Sequence, residues 1–371
     1  MAKIVNICDV CSEIFAGGDA PKGNMSETKT EEYNIPIYAN GEANEGLYGY
    51  TNKARVTKPS ITVSARGTIG YTAIRPTPFV PIVRLITLTP NPELIDIKYL
   101  YYAAQNYKFD GSGTSIPQLT VPSLKKYSFP LPAMEEQAHI VMILDNVCDL
   151  IDQKKQQLEL LDELVKSRFI ELFEGSNYPF EPLDNNVIEM FIGPFGSSLK
   201  NEVFVDEEDG FCMVYEQKHA IQKTMDVPTR YVPKSKYEEL KRFTILGGDI
   251  IVSCRGTIGE IFVVPNDAPM GIMHPSIMKI RLNTEKYNQK FFVFALEQYM
   301  DEHSAEAKGS GVKMAVSATV LGQSDFVIPP IDVQDQFAAF VKQTDKSKLA
   351  VQQSIAELEE LKKSLMQKYF G

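Results

Sequence analysis

The sequence predicts an α+β protein: two copies of an α/β domain, separated by two long helices that form an antiparallel coiled coil. Two observations support this prediction. The segments "SARGTIG" (64–70) and "SCRGTIG" (253–259) agree at six of seven positions and lie 189 residues apart. Two amphipathic runs of about forty residues, 134–173 and 332–370, each follow one copy of this segment. A repeat at a fixed offset indicates that one structural unit has been duplicated.

The first copy occupies residues 1–132 and begins with a glycine-rich turn at 14–24. Alternating or continuous apolar patterns, which are typical of strands, follow this turn. The pattern predicts strands at 35–40, 60–65 and 81–88, a helix at 92–105, a Gly/Ser/Thr loop at 110–120 and a strand at 126–132.

The second copy occupies residues 176–330 and repeats this order. A glycine-containing turn at 190–201 corresponds to the opening turn of the first copy. The later segments are strand-like runs at 211–220, 248–259 and 277–282, a helix at 287–300 and a loop at 307–314. The order of elements therefore agrees between the copies, not only the short identical segment.

The two long helices are predicted at 133–175 and 331–371. In the first, seam positions spaced alternately by three and four residues run from 137 to 172, and eight of these eleven are apolar. A strict seven-residue apolar repeat makes a helix wind around a partner helix. Both helices begin after a proline-rich segment with a Gln in the first turn, at 129–137 and 327–336. The second run is the predicted partner of the first.

The charge distribution excludes DNA binding by overall charge alone, because the formal net charge is −10. Residues 1–132 carry 13 Lys and Arg against 11 Asp and Glu, and residues 176–330 carry 15 against 21. Binding to a phosphate backbone would need a local basic face or a partner subunit. No 18-residue apolar run and no signal-peptide pattern occur, so we expect a cytoplasmic protein without membrane segments.

The sequence offers no constellation typical of catalysis, so we expect neither a metal nor a cofactor in this chain. The glycines of "FIGPFG" (191–196) indicate a tight turn rather than a cofactor-binding loop, and GxxxxGK[ST] is absent. The four histidines are dispersed, and the five scattered cysteines predict buried free thiols. Asp209 with residues 216–218 resembles a metal-dependent nuclease strand, but the first copy has no matching acidic residue.

Two arginines, Arg66 and Arg255, open the Gly-Thr-Ile-Gly turns of the two copies. An arginine in this position can bind a guanine edge or a phosphate, or it can hold the turn by bonding to carbonyl groups. Residues that read different bases should instead differ between the copies. We therefore also select two pairs of aligned but dissimilar segments, 38–41 against 215–218 and 114–116 against 312–314, and place 114–116 and 216–218 on solvent-facing loops.

Together, the duplicated "RGTIG" segment, the strands "FPLP" and "VIPP", and the EQ or DQ start of each long helix resemble the specificity subunit of type I restriction-modification enzymes. The resemblance spans the whole chain. It implies two target-recognition domains, each reading one half of a split site in double-stranded DNA, with the helices setting the spacer. It also implies a non-catalytic subunit that binds two methyltransferase subunits, which hold S-adenosylmethionine, and ATP-dependent restriction subunits.

We predict DNA contacts on the loops of both domains. They are Lys22, Tyr38, Asn40, Arg66, Thr68, Ser112, Thr114, Ser115 and Gln118 in the first domain, and Lys200, Tyr215, Glu216, Gln217, Lys218, Arg255, Thr257, Ser310 and Lys313 in the second. A self-contained DNA methyltransferase or nuclease is the alternative, although the methylation motif [DNS]PP[FYW] is absent. A plain coiled-coil assembly protein would not need two β-rich domains.

Overall fold

The computed structural model describes residues 2–107, 118–255, 257–310 and 317–371, with only the backbone for 304–310. The chain folds into two compact units. Unit 1 consists of Met1–Leu158 and Ala350–Gly371, and unit 2 consists of Glu159–Leu349. Each long helix therefore contributes one part to each unit.

Unit 1 contains a four-stranded antiparallel sheet, a three-stranded sheet and a two-stranded sheet. Their strand orders are β2-β8-β5-β6, β4-β3-β7 and β1-β9. The elements are β1 (Lys3–Asn6), α1 (Ile7–Val10), β2 (Cys11–Ala16), β3 (Ile35–Tyr38), β4 (Leu47–Thr51), β5 (Ser60–Val63), β6 (Thr72–Arg75), β7 (Val80–Pro81), β8 (Ile86–Pro90), α2 (Ile97–Asn106), α3 (Val121–Leu124), β9 (Ser128–Leu131) and the first part of α4 (Met134–Phe173).

Unit 2 contains two four-stranded sheets and one two-stranded sheet, with strand orders β11-β18-β15-β16, β13-β12-β17-β14 and β10-β19. The elements are β10 (Phe180–Pro182), β11 (Val187–Ile192), β12 (Cys212–Tyr215), α5 (Gln217–Gln222), β13 (Tyr231–Val232), α6 (Lys234–Glu239), β14 (Thr244–Ile245), β15 (Ile250–Ser253), β16 (Ile261–Val263), β17 (Gly271–Met273), β18 (Ile277–Leu282), α7 (Gln289–Ser310), α8 (Ala318–Gln323), β19 (Asp325–Val327) and the first part of α9 (Ile331–Phe370).

The predicted duplication is confirmed by the topology of the two units. The antiparallel sheet β2-β8-β5-β6 of unit 1 corresponds strand by strand to β11-β18-β15-β16 of unit 2. In the second sheet of each unit, the parallel pair β3 and β7 corresponds to the parallel pair β12 and β17. Each unit therefore repeats the same path of the chain, and α2 and α7 follow β8 and β18 at the same place.

The two predicted long helices are confirmed as α4 and α9, and they pack against each other in an antiparallel arrangement within each unit. In unit 1, Leu144 shares an apolar core with Met366 and Phe370, and Lys155 lies 3.6 Å from Glu359. In unit 2, Phe169 contacts Phe337, with ring centroids 5.5 Å apart, and Lys348 pairs with Asp162. Residue numbers that rise along one helix and fall along the other identify the antiparallel direction.

A buried glutamine fixes the start of each long helix. Gln137 accepts a hydrogen bond from the backbone N–H of Asp96 (2.9 Å) and donates to the carbonyl groups of Leu94 and Pro132 (3.1 and 2.9 Å). Gln334 likewise accepts from the N–H of Asn288 (2.8 Å) and donates to two carbonyl groups, at 2.9 and 2.8 Å. The Gln of the repeated "EQ" and "DQ" motif is therefore a packing residue, because it satisfies backbone groups beside the helix.

Three expectations from the sequence were wrong. Residues 81–88 are not one strand, since the chain turns at Val83 and Arg84 between β7 and β8. The predicted loop at 307–314 begins as helix, because α7 extends to Ser310. The thiols are not all buried: Cys212 and Cys254 are, but Cys8 is exposed. Among the described residues, no helix is both long and apolar enough to cross a bilayer.

Candidate nucleic-acid interface

In each unit, three connecting segments lie together at one end of the strands of the four-stranded antiparallel sheet. In unit 1, β2 and β5 both run antiparallel to β8, so the ends of β2 and β5 and the start of β8 share an edge. In unit 2, β11, β15 and β18 have the same relation. We call these segments the loop edge, defined by 17–24, 64–70 and 83–84 in unit 1 and by 193–200, 254–259 and 274–276 in unit 2.

The repeated "RGTIG" segment lies in a hairpin that is closed by the same backbone hydrogen bond in both units. The Ser64 N–H donates to the Tyr71 carbonyl at 2.8 Å, and the Ser253 N–H donates to the Glu260 carbonyl at 2.9 Å. The last glycine of each segment has a left-handed φ, +89° in unit 1 and +87° in unit 2. Glycine adopts this conformation without steric cost, which explains the repeat. Arg66 and Arg255 are exposed in these turns.

Arg66 is exposed at the tip of the first hairpin, where it contacts a second residue of the predicted set. Its Nε and Nη2 atoms donate to Oε1 of Gln118, at 3.2 and 2.9 Å. The guanidinium group is therefore positioned by a side chain and not by carbonyl groups of its own turn. Arginine and glutamine are both side chains that bind base edges, so the pair forms a polar group suited to DNA.

The loop edge of unit 1 also carries basic residues that the sequence reading missed. Arg84 is exposed, because Val83 and Arg84 form a turn with left-handed φ values of +51° and +63°. Its N–H donates to the Gly17 carbonyl at 3.0 Å, which fixes the turn to the neighbouring loop. Arg55 lies over the Phe15 ring at 4.5 Å, near the end of β2. With exposed Lys22, these residues and Arg66 give unit 1 a local basic face.

The loop edge of unit 2 presents Lys200, Arg255 and Thr257 as exposed residues. The backbone N–H of Cys254 donates to the Ser276 carbonyl at 2.8 Å, which ties the hairpin to the segment before β18. His274 in that segment is half-buried. Burial lowers its pKa below the usual value, and Arg230, Arg255 and Lys218 add to this effect against the opposing charge of Glu216.

Three predicted contact residues are engaged in packing. Tyr215 is fully buried, and its hydroxyl group donates to the Pro269 carbonyl at 2.7 Å; burial raises its pKa to about 12. The Tyr38 ring lies under the guanidinium group of Arg75 at 3.6 Å. Asn40 accepts from the Ala65 N–H at 2.7 Å and donates to the Val83 carbonyl at 2.6 Å. Tyr215 is therefore too buried to contact DNA, and Asn40 stabilises the hairpin through its two hydrogen bonds.

The prediction that residues 216–218 lie on a solvent-facing loop was wrong. Glu216 is 8% exposed and pairs with Arg230 and, at 2.8 Å, with Lys218. Burial would raise the pKa of Glu216, but hydrogen bonds from these two cations outweigh burial and lower it. Gln217 begins α5 and is half-buried. Residues 216–218 are therefore an ion-paired segment at the start of α5 and not a loop, because the chain turns into a helix directly after β12.

The remaining predicted contacts divide into two groups. Thr68 and Thr257 are exposed on the hairpins beside the two arginines. Ser112, Thr114, Ser115 and Lys313 lie outside the described residues, and of Ser310 only the backbone is described. Within the described part of the chain, no three His, Cys, Asp or Glu side chains lie close enough together to hold a metal ion.

Comparison with known proteins identifies the class to which this repeated architecture belongs. The family model described as the type I restriction modification DNA specificity domain matches residues 2–161 and again residues 210–360. The chain therefore belongs to this family and contains two copies of the specificity domain.

Individual relatives agree with the family assignment. A Mycoplasma pneumoniae protein, provisionally named a type I specificity subunit, is 36% identical over 143 residues, which cover 38% of this chain and 42% of the relative. The match thus spans about two fifths of that protein.

Solved structures show the fold. The type I restriction-modification S subunit of M. genitalium has a TM-score of 0.53 at 17% identity, covering 100% of this chain and 96% of that chain. A chain from a study of complex assembly and conformational transition in a type I system has a TM-score of 0.66 at 15% identity, covering 99% and 97%.

Proposed function

We propose that this chain is the DNA-specificity subunit of a type I restriction-modification complex and that each unit reads one half of a bipartite target. The observation that carries the proposal is the duplicated loop edge, which presents Arg66 in unit 1 and Arg255 in unit 2 on hairpins closed by the same backbone hydrogen bond. Specific recognition needs side chains that reach base edges from a rigid support. An exposed arginine at the end of a buried strand meets this requirement in both units.

In this proposal, the two units differ in the number of cations that are free to bind DNA. The loop edge of unit 1 has three exposed cations, Lys22, Arg66 and Arg84, and one exposed carboxylate, Asp19; Arg55 lies beside it over the Phe15 ring. In unit 2, Lys218 and Arg230 are already paired with Glu216. We therefore expect unit 1 to bind phosphate groups more strongly, and unit 2 to depend more on partner subunits for its affinity.

The long helices are proposed to set the spacer between the half-sites. Each is a continuous helix of 40 residues, and their facing apolar residues are buried in both units. A helix of this length is a rod of about 60 Å. Because the seam fixes how the helices pair, a change in helix length should change the spacer without changing the bases read.

Exposed apolar residues on these helices support binding of partner subunits, one to each unit. Met142, Leu150 and Leu361 are 44–52% exposed in unit 1. Leu160 and Leu349 are 62% and 57% exposed in unit 2. A contiguous apolar patch on a protein surface marks an interface, and in the proposal these residues belong to such patches.

A cleft lies beside the helices at the corresponding place in each unit. The cleft of unit 1 has a volume of about 520 Å³ and is lined by Gly70 of the hairpin and Lys363 of α9. The cleft of unit 2 has a volume of about 600 Å³ and is lined by Gly259 and by Lys166 of α4. Two equivalent surfaces support a complex with two methyltransferase subunits, with restriction subunits as further partners.

The proposal places catalysis on the partners. In it, the methyltransferase subunits hold S-adenosylmethionine, the restriction subunits hold ATP, and this chain holds no cofactor of its own. A cytoplasmic location is part of the proposal, since the DNA target lies there.

The test measures transfer of labelled methyl groups from S-adenosylmethionine to DNA, first with the purified chain and then after addition of its cognate methyltransferase subunits. We expect transfer only in the second reaction. Transfer by the purified chain would instead support the alternative of a self-contained methyltransferase. Cleavage of DNA by the purified chain with a divalent cation would support the nuclease alternative.

A further inference from the structure

Phe195 is 88% exposed, more than any other large apolar side chain among the described residues. It lies in the loop that follows β11, at the loop edge of unit 2. Single exposed apolar residues are common on protein surfaces and need no special explanation. Phe195 differs from such residues because of how its loop is held and what surrounds it.

The loop around Phe195 is fixed at both ends. The N–H of Gly193 donates to the Ile277 carbonyl at 3.0 Å. A Cβ atom at Gly193 would lie 2.3 Å from the His274 oxygen, so the backbone packs directly against that segment. Pro194 and Leu199 are buried on either side of the exposed ring. The backbone on either side of Phe195 is therefore held in place, and the ring extends into solvent.

The neighbours of Phe195 are those expected of a DNA-binding surface. Segment 274–276 contacts Gly193 on one side and accepts a hydrogen bond from Cys254 on the other. Phe195 and Arg255 therefore follow strands β11 and β15, which lie on either side of β18, and both extend from the same edge. Ser197 and Lys200, both exposed, follow in the same loop. An apolar tip is thus flanked by groups that bind phosphate oxygen atoms.

We infer that Phe195 is an intercalating residue: its ring inserts between two base pairs of the half-site bound by unit 2. This inference rests on the proposed function. Proteins that kink DNA insert apolar side chains of this kind at base steps, while polar neighbours hold the backbone. The base faces provide the apolar contact that the ring lacks in the free protein.

The duplicated fold makes the inference specific to one half of the target. Aligning "FAGGDA" (15–20) with "FIGPFG" (191–196) places Asp19 at the position of Phe195. Asp19 is exposed at the loop edge of unit 1. A carboxylate does not insert into a base stack and is repelled by phosphate groups. Unstacking should therefore occur only in the half-site of unit 2.

The experiment uses the complete chain assembled with its cognate methyltransferase subunits. The DNA is a duplex that carries the mapped target, with 2-aminopurine at successive positions of either half-site. Methyltransferases flip their target base out of the helix, so the methylated adenines and their neighbours are not replaced. At the remaining positions, we expect the fluorescence to rise several-fold on binding at one step of the unit 2 half-site, and at no step of the other. Phe195→Ala should abolish this rise and weaken binding by about 5- to 150-fold, the range for loss of one base–aromatic stack.

Two variants serve as controls. Phe195→Trp keeps a ring that can stack, so it should retain both the fluorescence change and the affinity. Phe211→Ala removes another aromatic residue of unit 2, which directly precedes β12, is 43% exposed and packs against Tyr237. This change should affect neither. Circular dichroism checks that each variant is folded.

The outcomes separate this inference from the proposed function. If the wild-type complex binds the target no better than a scrambled duplex, the proposed function fails and the inference fails with it. If it binds the target specifically but Phe195→Ala leaves fluorescence and affinity unchanged, only the inference is overturned. The inference is also overturned by a second result. In it, replacing thymine by uracil, which removes a methyl group, weakens binding of the wild-type complex as much as Phe195→Ala does, and no base step is unstacked.

Discussion

Replacing Gln334 by Leu should destabilise unit 2 and leave unit 1 unchanged. The leucine removes three hydrogen bonds, to the backbone groups of Asn288, Lys286 and Pro329. A buried backbone group without a partner costs about 1–3 kcal/mol. The upper value suits buried Pro329, and the lower value suits Lys286, which is exposed, and Asn288, which is half-buried. Burying the leucine offsets about 2 kcal/mol of the total. We therefore expect the free energy of unfolding of unit 2 to fall by about 3 kcal/mol.

Hydrogen exchange measured by mass spectrometry resolves this effect by unit. In Gln334→Leu, peptides from 286–300 and 331–345 should exchange faster, whereas peptides from 94–106 and 134–148 should not. Gln137→Leu should give the reverse pattern, because the corresponding glutamine binds unit 1. A single variant that accelerated exchange equally in both units would contradict the independence of the two glutamine sites.

A matched control separates the hydrogen bonds from the general effect of adding a leucine. Gln343 is an exposed glutamine of the same helix, and Gln343→Leu should change the free energy of unfolding by less than about 0.5 kcal/mol. The reasoning is refuted if Gln334→Leu, in urea denaturation, costs no more than Gln343→Leu.

Three further predictions concern recognition, spacing and stability. Arg255→Ala should relax base preference in one half-site only, by about 1–3 kcal/mol, and Arg66→Ala should do so in the other half-site. A methylation map in which either variant relaxed both half-sites would contradict the assignment of one half-site to each unit. Inserting one heptad into both α4 and α9 adds about 10.5 Å of helix and should lengthen the mapped spacer by about three base pairs, whereas an unchanged spacer would show that the helices only support the units. Glu189→Gln removes the carboxylate that lies 2.6 Å from Lys279, a side chain that is 1% exposed. In urea denaturation the free energy of unfolding should fall by about 2 kcal/mol, less than for a fully buried pair. An unchanged free energy would mean that the Thr244 carbonyl is a sufficient partner for Lys279.

The repeated features of the sequence predicted most of the fold. The heptad seams located both long helices to within two residues at each end, because a strict apolar period over forty residues has few other solutions. The glycines of "RGTIG" marked a turn that needs a left-handed backbone, and the structure has this turn in both units. The role of Gln137 and Gln334 was not predicted, since two of the three bonding partners of each glutamine lie more than forty residues away in sequence.

The loop edge was predicted less well, because exposure at a strand end depends on tertiary neighbours. Arg84 was hidden in the apolar run 81–88, and only the structure shows that a turn interrupts this run. Glu216 was placed on a solvent-facing loop, but Arg230, fourteen residues later, makes its burial possible. Phe195 was read only as part of a tight turn, since nothing local distinguishes an exposed phenylalanine from a buried one.

The central claim is that each unit reads its own half of a divided DNA site, and mapping methylated adenines after co-expression of this chain with its cognate methyltransferase subunits tests it most directly. The account predicts methylation within sites that have two blocks of specified bases separated by a spacer of fixed length and free sequence. It also predicts that Arg255→Ala relaxes one block and leaves the other block and the spacer unchanged. A target made of a single continuous block, or a variant that alters both blocks, would contradict the account.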